Sequence, residues 1–206
     1  MGNGQKRNYQ KELEKILVSL QDRAAVPRLL LHSCCAPCSS YVLEYLTAWF
    51  DIEDFFYNPN ISPQEEYRFR ADELNRLIGK MPLQHAVHFV EGTYDPERFY
   101  AIARGLEQAP EGGERCMRCF ALRLEEAACE AKKRNCDFFA TTLTISPLKN
   151  AEAINRIGEE IAARYGVAYL PSDFKKRDGY KRSLALSQEY DLYRQNYCGC
   201  VFSRRE

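Results

Sequence analysis

Apolar positions along the chain follow two spacings, one typical of helices and one of buried strands. Leucine and isoleucine recur every three or four residues between positions 9 and 21, which predicts an amphipathic helix. The continuous apolar run at 28–32 follows Pro27 and predicts a buried parallel strand. The same patterns, together with proline and aspartate at helix starts, predict helices over 41–50, 63–80, 95–104, 116–134, 151–165 and 181–193, and strands over 52–57, 83–90, 138–143 and 167–170.

This alternation of strands and helices predicts an α/β fold. We expect a Rossmann-like, mostly parallel sheet of the PP-loop or HUP-like kind, with helices on both faces. Residues 1–27 are expected to form an N-terminal helical extension. Residues 28–206 are expected to form a single α/β catalytic domain that includes a C-terminal C-x-C segment.

Composition and charge are those of an ordinary globular protein. Of the 206 residues, 45% are hydrophobic and 28% are charged, and 29 basic residues balance 29 acidic ones. The zero net charge means that a nucleic-acid partner would have to be held by a local basic patch. No apolar run approaches the ~18 residues that span a bilayer, and the polar N-terminus lacks the apolar stretch of a signal peptide. We therefore expect a cytoplasmic protein without membrane contact.

The nine cysteines change this picture, because a reducing cytosol does not favour structural disulfides. Cys129 and Cys136 stand alone and are expected to be structural. The other seven fall into three groups, for which metal binding or thiol redox chemistry is the better interpretation. These groups are C-C-x-x-C at Cys34, Cys35 and Cys38, C-x-x-C at Cys116 and Cys119, and C-x-C at Cys198 and Cys200.

The first group ends the apolar run L-L-L-H-S-C-C-A-P-C, immediately after the first predicted strand. In an open parallel sheet, ligands bind outside the carboxyl ends of the strands, near the point where the strand order reverses. The fold therefore places these cysteines at the edge where chemistry is expected.

The second group lies at the start of a predicted helix, with both side chains on one face of its first turn. The positive end of a helix is expected to lower the pKa of Cys116 and Cys119 and so to favour thiolates. Together with the first group they offer enough sulfur for zinc or for an iron-sulfur cluster. The side chains of adjacent Cys34 and Cys35 are expected to diverge, which favours a cluster over a single small ion.

The third group is interpreted differently. A disulfide between Cys198 and Cys200 would close a very small ring, and strain makes such a bond easy to reduce. Gly199 removes the side chain that would obstruct this tight turn. Two additional metal ligands are the alternative.

Several blocks of the chain resemble the QueH family of epoxyqueuosine reductases. They are L-L-L-H-S-C-C-A-P-C, F-F-Y-N-P-N-I-S-P-Q-E-E-Y, R-C-M-R-C-F-x-L-R-L, T-T-L-T-I-S-P-L-K-N, D-F-K-K-R-D-G-Y-x-R-S and L-Y-R-Q-N-Y-C-G-C-V-F-S. The resemblance covers nearly all of the chain after the first ~25 residues, and so many blocks in register make it specific.

The resemblance implies reduction of epoxyqueuosine to queuosine at the wobble position of tRNA, without cobalamin and with an unidentified electron donor. It implies a [4Fe-4S] cluster on Cys34, Cys35, Cys116 and Cys119, and a redox-active disulfide between Cys198 and Cys200. The family is also associated with a second, mononuclear iron. Cys38, one turn beyond the adjacent pair, is the candidate for that site.

A basic segment is the candidate tRNA-binding surface, because basic side chains meet phosphates and aromatic rings stack on unpaired bases. A solvated charged face is the alternative. The segment contains Lys175, Lys176, Arg177, Tyr180, Lys181 and Arg182, with Arg194, Arg204 and Arg205 close to the C-x-C.

Two other classes of function compete with this interpretation. A PP-loop tRNA thiolase would share the strand-loop-helix opening, but its loop is glycine-rich, whereas this loop has no glycine and Pro37 removes an amide. A zinc-binding RNA module would use the same thiols without iron or sulfide.

Further residues near the strand ends are interpreted either as pocket lining or as packing, namely His32, Tyr57, Asn58, Tyr67, Arg70, Thr141, Thr142 and Ser146.

Overall fold

A parallel five-stranded sheet forms the centre of the protein, in a computed structural model that describes residues 7–204. Arg205, predicted to contribute to the basic surface, lies outside the described residues, as do positions 1–6 of the predicted N-terminal extension. The strands are β1 (Arg28–Ser33), β2 (Asp51–Phe56), β3 (Val87–Glu91), β4 (Phe138–Thr141) and β5 (Ala168–Tyr169). The helices are α1 (Tyr9–Ser19), α2 (Ala36–Leu46), α3 (Gln64–Ile78), α4 (Pro96–Ala103), α5 (Glu114–Lys133), α6 (Ala151–Tyr165) and α7 (Gly179–Glu189).

The strand order is β3-β2-β1-β4-β5, and every pairing is parallel. The chain moves outward from β1 through β2 to β3 and then returns to place β4 on the other side of β1. The strand order therefore reverses between β1 and β4, which is where this class of sheet binds ligands. The predicted α/β class with a parallel sheet is confirmed.

Two apolar layers cover the sheet because successive side chains of a strand point to opposite faces. Leu29 and Leu31 of β1 pack with α1, α2 and α3, whereas Leu30 packs with α5 and α6. Leu13 and Leu17 of α1 are buried in the first of these layers. Helix α1 therefore contributes directly to the core of the α/β unit.

Most predicted elements agree with the structure to within a few residues, and two differences affect the site. Helix α2 begins at Ala36, five residues before the predicted start, because Cys35 takes the N-cap position and Pro37 lies in the first turn. Strand β4 ends at Thr141 and continues as a 3-10 helix over Thr142–Ile145, so the predicted strand over 138–143 is too long. Both differences bring polar side chains to the carboxyl edge of the sheet.

A search of residues 7–204 for a helix with the length and apolarity of a membrane span finds none.

Candidate metal centre and active-site cleft

The first cysteine group surrounds the N-terminus of α2. Cys34 follows β1 directly, Cys35 is the N-cap, and Cys38 lies three residues beyond the cap in the first helical turn. Because residues three apart share a helix face, Cys38 returns toward Cys35. The three sulfur atoms lie within 4.8 Å of one another, and no other group of three potential ligands this compact occurs in residues 7–204.

Cys34 is the most acidic thiol of this group. Its pKa lies well below the ordinary value because the thiols of Cys35 and Cys38 donate hydrogen bonds to it. The same interaction raises the pKa of Cys35 to about 12 and raises that of Cys38. Cys34 Sγ also lies 3.7 Å from Thr142 Oγ1, which places it between the ends of β1 and β4, where the strand order reverses.

The donor set fits a thiophilic metal. The Sγ atoms of Cys34 and Cys35 lie 3.8 Å apart, so the expectation that these adjacent side chains diverge is wrong for this structure. Two thiolates at 2.3 Å from one tetrahedral ion are separated by roughly the same distance. The spacing of this pair is thus compatible with a single ion. Only the additional thiols of other segments favour a cluster.

The second group, Cys116 and Cys119, lies in the first two turns of α5. Gly112 N–H donates a hydrogen bond to Cys116 Sγ at 3.2 Å. The predicted lowering of both pKa values is nevertheless wrong, because burial outweighs the helix terminus. Burial raises the pKa of Cys116, and it raises the pKa of Cys119 to about 12.

The third group is fixed against the loop that joins β2 to α3. Gly199 accepts a hydrogen bond from Ser62 N at 3.0 Å through its carbonyl oxygen, and Arg70 Nη1 donates to Cys198 O at 3.4 Å. Gly199 has a φ of +115°, a backbone conformation that favours glycine. No disulfide joins Cys198 and Cys200 in the structure.

Two neighbouring cavities connect the three groups. The larger is a cleft of about 290 Å³, near the lower end of the roughly 300–1,000 Å³ typical of ligand pockets. The smaller has a volume of about 20 Å³, and Cys198 contributes to the walls of both. The walls of the cleft include Cys34, Cys38, Arg70, Arg123, Lys149 and Cys198. The walls of the small cavity include Cys116, Cys119, Cys198 and Cys200.

Arg123 was missed by the sequence analysis, although it follows Cys119 by one helical turn. Its side chain is 1% exposed, donates from Nη2 to Asn58 Oδ1 at 2.5 Å, and places Nε 3.3 Å from His32 Nε2. Burial lowers the pKa of His32 to about 3, so the imidazole is neutral. Although burial acts against the Arg123 charge, the neighbouring thiols of Cys119 and Cys34 raise its pKa. This buried cation therefore lies between two cysteine groups.

Lys149 was also missed as a site residue, although it lies in the T-T-L-T-I-S-P-L-K-N block. It is half-buried in the wall of the cleft, just before the N-cap of α6. Burial opposes its charge, but the nearby thiols of Cys198, Cys34 and Cys38 outweigh burial and raise its pKa.

Below the cleft, Asp54 of β2 and Ser33 of β1 are fully buried. Neither carboxylate oxygen of Asp54 has a hydrogen-bond partner in the described part of the chain, and the same holds for Ser33 Oγ. Burial raises the pKa of Asp54 to about 7. The raised pKa of Asp54 could not be predicted from the sequence. It results from burial alone, and an aspartate inside a predicted strand does not reveal whether its side chain is buried.

Most cations of the predicted basic segment are paired with carboxylates. Arg177 binds Glu14, with Nε donating at 3.0 Å. Arg182 pairs with both Glu44 and Glu189, and Lys175 pairs with Asp173. Lys176 and Lys181 are exposed, and neither forms an ion pair with any residue from 7 to 204. Tyr180 and Arg194 extend into the wall of the cleft, which places part of the segment beside the thiols.

The remaining predicted residues divide between pocket and packing. Arg70 and Ser146 line the cleft. Tyr57 and Tyr67 are buried in the apolar layers, and Asn58 donates from Nδ2 to Ser33 O at 2.9 Å. His32 and Thr141 are buried together, with Nδ1 and Oγ1 2.8 Å apart. Cys136 is buried and Cys129 half-buried outside these groups, as is typical of structural cysteines.

A parallel α/β sheet with thiols from three segments gathered near its switch point has the architecture and donor groups that metal-binding and thiol-redox proteins use. Comparison with known proteins narrows this class. The family model described as epoxyqueuosine reductase QueH matches residues 29–206. The chain therefore belongs to the QueH family, as its sequence blocks indicated.

Curated relatives agree with this assignment. Epoxyqueuosine reductase QueH of Staphylococcus epidermidis is 45% identical over 97% of this chain and 85% of its own length. Its counterpart in Streptococcus pyogenes is 43% identical over 100% of this chain and 81% of its own length. The corresponding protein of Thermotoga maritima is 40% identical over 86% of this chain and 91% of its own length. The family-model match over residues 29–206 spans all three cysteine groups.

Proposed function

We propose that this protein is a tRNA-modifying oxidoreductase that reduces epoxyqueuosine to queuosine at the wobble position. The observation that carries the proposal is the meeting of two distant thiol groups, represented by Cys34 and Cys198, in one cleft of a QueH-family chain. Such a cleft offers both metal ligands and a redox-active dithiol beside the bound substrate.

The reaction removes the epoxide oxygen as water and leaves an alkene, which requires two electrons and two protons. Oxidation of the Cys198 and Cys200 thiols to a disulfide releases two electrons and two protons, so epoxide plus dithiol gives alkene, water and disulfide. The C-x-C segment would therefore supply or relay the electron pair. A separate electron donor then restores the dithiol after each turnover.

The cofactors we propose are a [4Fe-4S] cluster held by Cys34, Cys35, Cys116 and Cys119, and a mononuclear iron near Cys38. When bound, these centres supply one-electron transfer and Lewis acidity. The chain's own contribution is a buried positive charge at Arg123 between the two cysteine groups, which favours bound thiolates.

The tRNA is proposed to dock on the basic segment. Lys176 and Lys181 are free of ion pairs over residues 7–204 and meet phosphates, whereas Tyr180 and Arg194 lie at the cleft, where an unpaired base would enter. Arg177 and Arg182 contribute to binding by exchanging their carboxylate partners for phosphates, as does Lys175.

The two competing functions are less well supported. A PP-loop thiolase needs backbone amides to cradle pyrophosphate after β1, but that position holds the cysteines and Pro37. A zinc-binding RNA module needs no cleft lined by Lys149 and a dithiol. Such a module would also lack iron and acid-labile sulfide in the stoichiometry of a cluster.

The decisive experiment is an anaerobic reaction of the purified protein with tRNA that carries epoxyqueuosine, followed by nucleoside analysis. We expect conversion to queuosine in the presence of a low-potential reductant, together with iron and acid-labile sulfide in the protein. Zinc without sulfide and no conversion would instead support the RNA-binding module.

A further inference from the structure

Lys149 lies in the wall of the cleft that is the proposed substrate site. It follows the 3-10 helix at the end of β4 and precedes Asn150, the N-cap of α6. Its backbone N–H donates to Ser146 O at 3.3 Å, which fixes the turn that carries it. Its side chain lines the cleft together with Cys34 and Cys198.

The ammonium group of Lys149 differs from the other buried cations of the cleft in having no partner. Arg70 is paired with Glu66, and Arg123 donates to Asn58. For Lys149 Nζ, neither an ion pair nor a hydrogen bond is formed with any residue between 7 and 204. This half-buried ammonium faces the cleft that is the proposed substrate site, so its N–H donors are free for an acceptor bound there.

Building on the proposed function, we propose that Lys149 Nζ donates a hydrogen bond to the epoxide oxygen and gives that oxygen its first proton as the C–O bond breaks. The two electrons come from the Cys198 and Cys200 dithiol, which becomes a disulfide and releases two protons. One of these protons restores the Lys149 ammonium, and the other completes the water molecule. Atoms and charges are thereby balanced.

The physical reason is the charge that develops on oxygen. Breaking a C–O bond of an epoxide creates alkoxide character, which is costly in a partly buried site without a charged donor. An ammonium is a stronger acid than an alcohol, so transfer of its proton to an alkoxide is downhill. The product alkene has no oxygen at this position, so the contact exists only with the epoxide.

This difference between substrate and product gives a test that does not depend on turnover. Equilibrium binding of tRNA carrying epoxyqueuosine and of tRNA carrying queuosine is measured with the metal-loaded protein, without reductant and with Cys198 and Cys200 first oxidised to the disulfide, so that the bound epoxide is not reduced. The wild-type protein is expected to prefer the epoxide by about 10-fold, the size of one hydrogen bond to a charged group. Lys149→Met should abolish the preference and leave binding of queuosine-tRNA unchanged, whereas Lys149→Arg should retain part of it.

A matched control is Lys132→Met, an exposed position at the far end of α5, about 24 Å along the helix from Cys116. It should behave as wild type. In turnover assays, Lys149→Met is expected to lower kcat by about 100-fold or more, in the range of general acid catalysis.

Three outcomes would overturn the inference. The wild-type protein could show no preference for the epoxide, Lys149→Met could keep it, or Lys149→Met could weaken binding of both tRNAs equally, which would make Lys149 a phosphate ligand. Failure of the proposed function is recognised separately, since the wild-type protein would then not convert epoxyqueuosine under any reducing condition. If Lys149→Met does not fold, the loss or retention of preference in Lys149→Arg decides the question.

Discussion

Arg123 Nε on α5 lies 3.3 Å from Nε2 of His32 at the end of β1, so the helix that carries Cys119 is joined to the strand that leads to Cys34. The same guanidinium donates to Asn58 beyond β2. One fully buried side chain thus holds together three segments that form the site.

Arg123→Lys is expected to destabilise the protein although it keeps the charge. Lysine cannot reproduce the planar arrangement of donors, so Asn58 Oδ1 loses a buried partner. The free energy of unfolding should fall by about 2 kcal/mol, measured by urea denaturation of the anaerobically purified protein. Arg118→Lys, an exposed position on the same helix, should stay within about 0.5 kcal/mol of wild type. Equal stability of the two variants would contradict the proposed structural role.

Gly199→Ala is expected to displace the C-x-C segment. A Cβ at this position would lie 2.9 Å from Ile61 Cγ1 and 3.2 Å from Arg70 Nη1, at a φ of +115°. Backbone strain of this kind costs about 1–3 kcal/mol, so the hydrogen bond from Ser62 to Gly199 O should break. Alkylation of Cys198 and Cys200, followed by mass spectrometry, should become faster than in wild type.

Gly79→Ala is the matched control for this substitution. Gly79 has an ordinary helical φ of −69°, and a Cβ there meets only backbone oxygens at 3.7 Å or more. Its alkylation rates should equal those of wild type. An unchanged rate in Gly199→Ala as well would show that the segment tolerates a side chain.

Asp54 is expected to make stability depend on pH. Burial raises the pKa of its carboxyl to about 7 in the folded protein, above its ordinary value of 3.8, so the folded state keeps a proton that the unfolded state has released. Stability therefore falls as pH rises from about 4 through 7. Between pH 6 and pH 8.5 the loss should be about 1.4 kcal/mol.

Asp54→Asn replaces the carboxyl group with an amide, which resembles the protonated acid but does not titrate. The free energy of unfolding of this variant should therefore change less over the same pH range and exceed that of wild type at pH 8.5. Urea unfolding at several pH values measures the difference. Asp22→Asn, at an exposed position, should follow the wild-type profile. Parallel profiles for wild type and Asp54→Asn would show that Asp54 does not titrate in this range.

Local structure could be predicted from the sequence where local interactions decide it. Helix α6 runs over Ala151–Tyr165 as predicted, because Asn150 caps its start and Gly166 takes the left-handed conformation at its end. The start of α2 was misplaced because a cysteine is not a usual N-cap, and here Cys35 occupies that position without a side-chain cap bond. The extended backbone of Cys35 and the position of Pro37 in the first turn explain this start better than apolar spacing does.

The three cysteine groups of the site could be predicted from the sequence. The way in which the fold brings them together could not. Cys198 and Cys34 line the same cleft although they are more than 160 residues apart in the sequence. Hydrophobic periodicity predicts local structure only and gives no information about such a distant pair. The reversal of the pKa expectation for Cys116 and Cys119 has a similar cause, since burial is a tertiary property that opposes the local helix terminus. Arg123 and Lys149 acquire their roles only from the cleft that surrounds them.

Removal of the unpaired lysines is expected to weaken tRNA binding. Lys176 and Lys181 are exposed and lack ion pairs within residues 7–204, so the double substitution to methionine removes up to two phosphate contacts. The slope of log K against log salt should decrease by about 1 to 2. Filter binding at several salt concentrations measures the slope, with Lys132→Met as the control. An unchanged slope would favour a solvated charged face without RNA contacts.

The C-x-C segment provides the sharpest test of the proposed redox chemistry. Replacing Cys198 and Cys200 by serine should leave the iron content and the visible spectrum of the cluster unchanged, because neither residue is among the proposed cluster ligands. Multiple turnover should stop, since the dithiol that supplies the electron pair is absent. Nucleoside analysis over a time course measures the reaction, and Cys129→Ser, outside the three groups, controls for thiol removal. Loss of iron in the double variant would instead assign these two cysteines as metal ligands, and undiminished turnover would exclude them from the electron path.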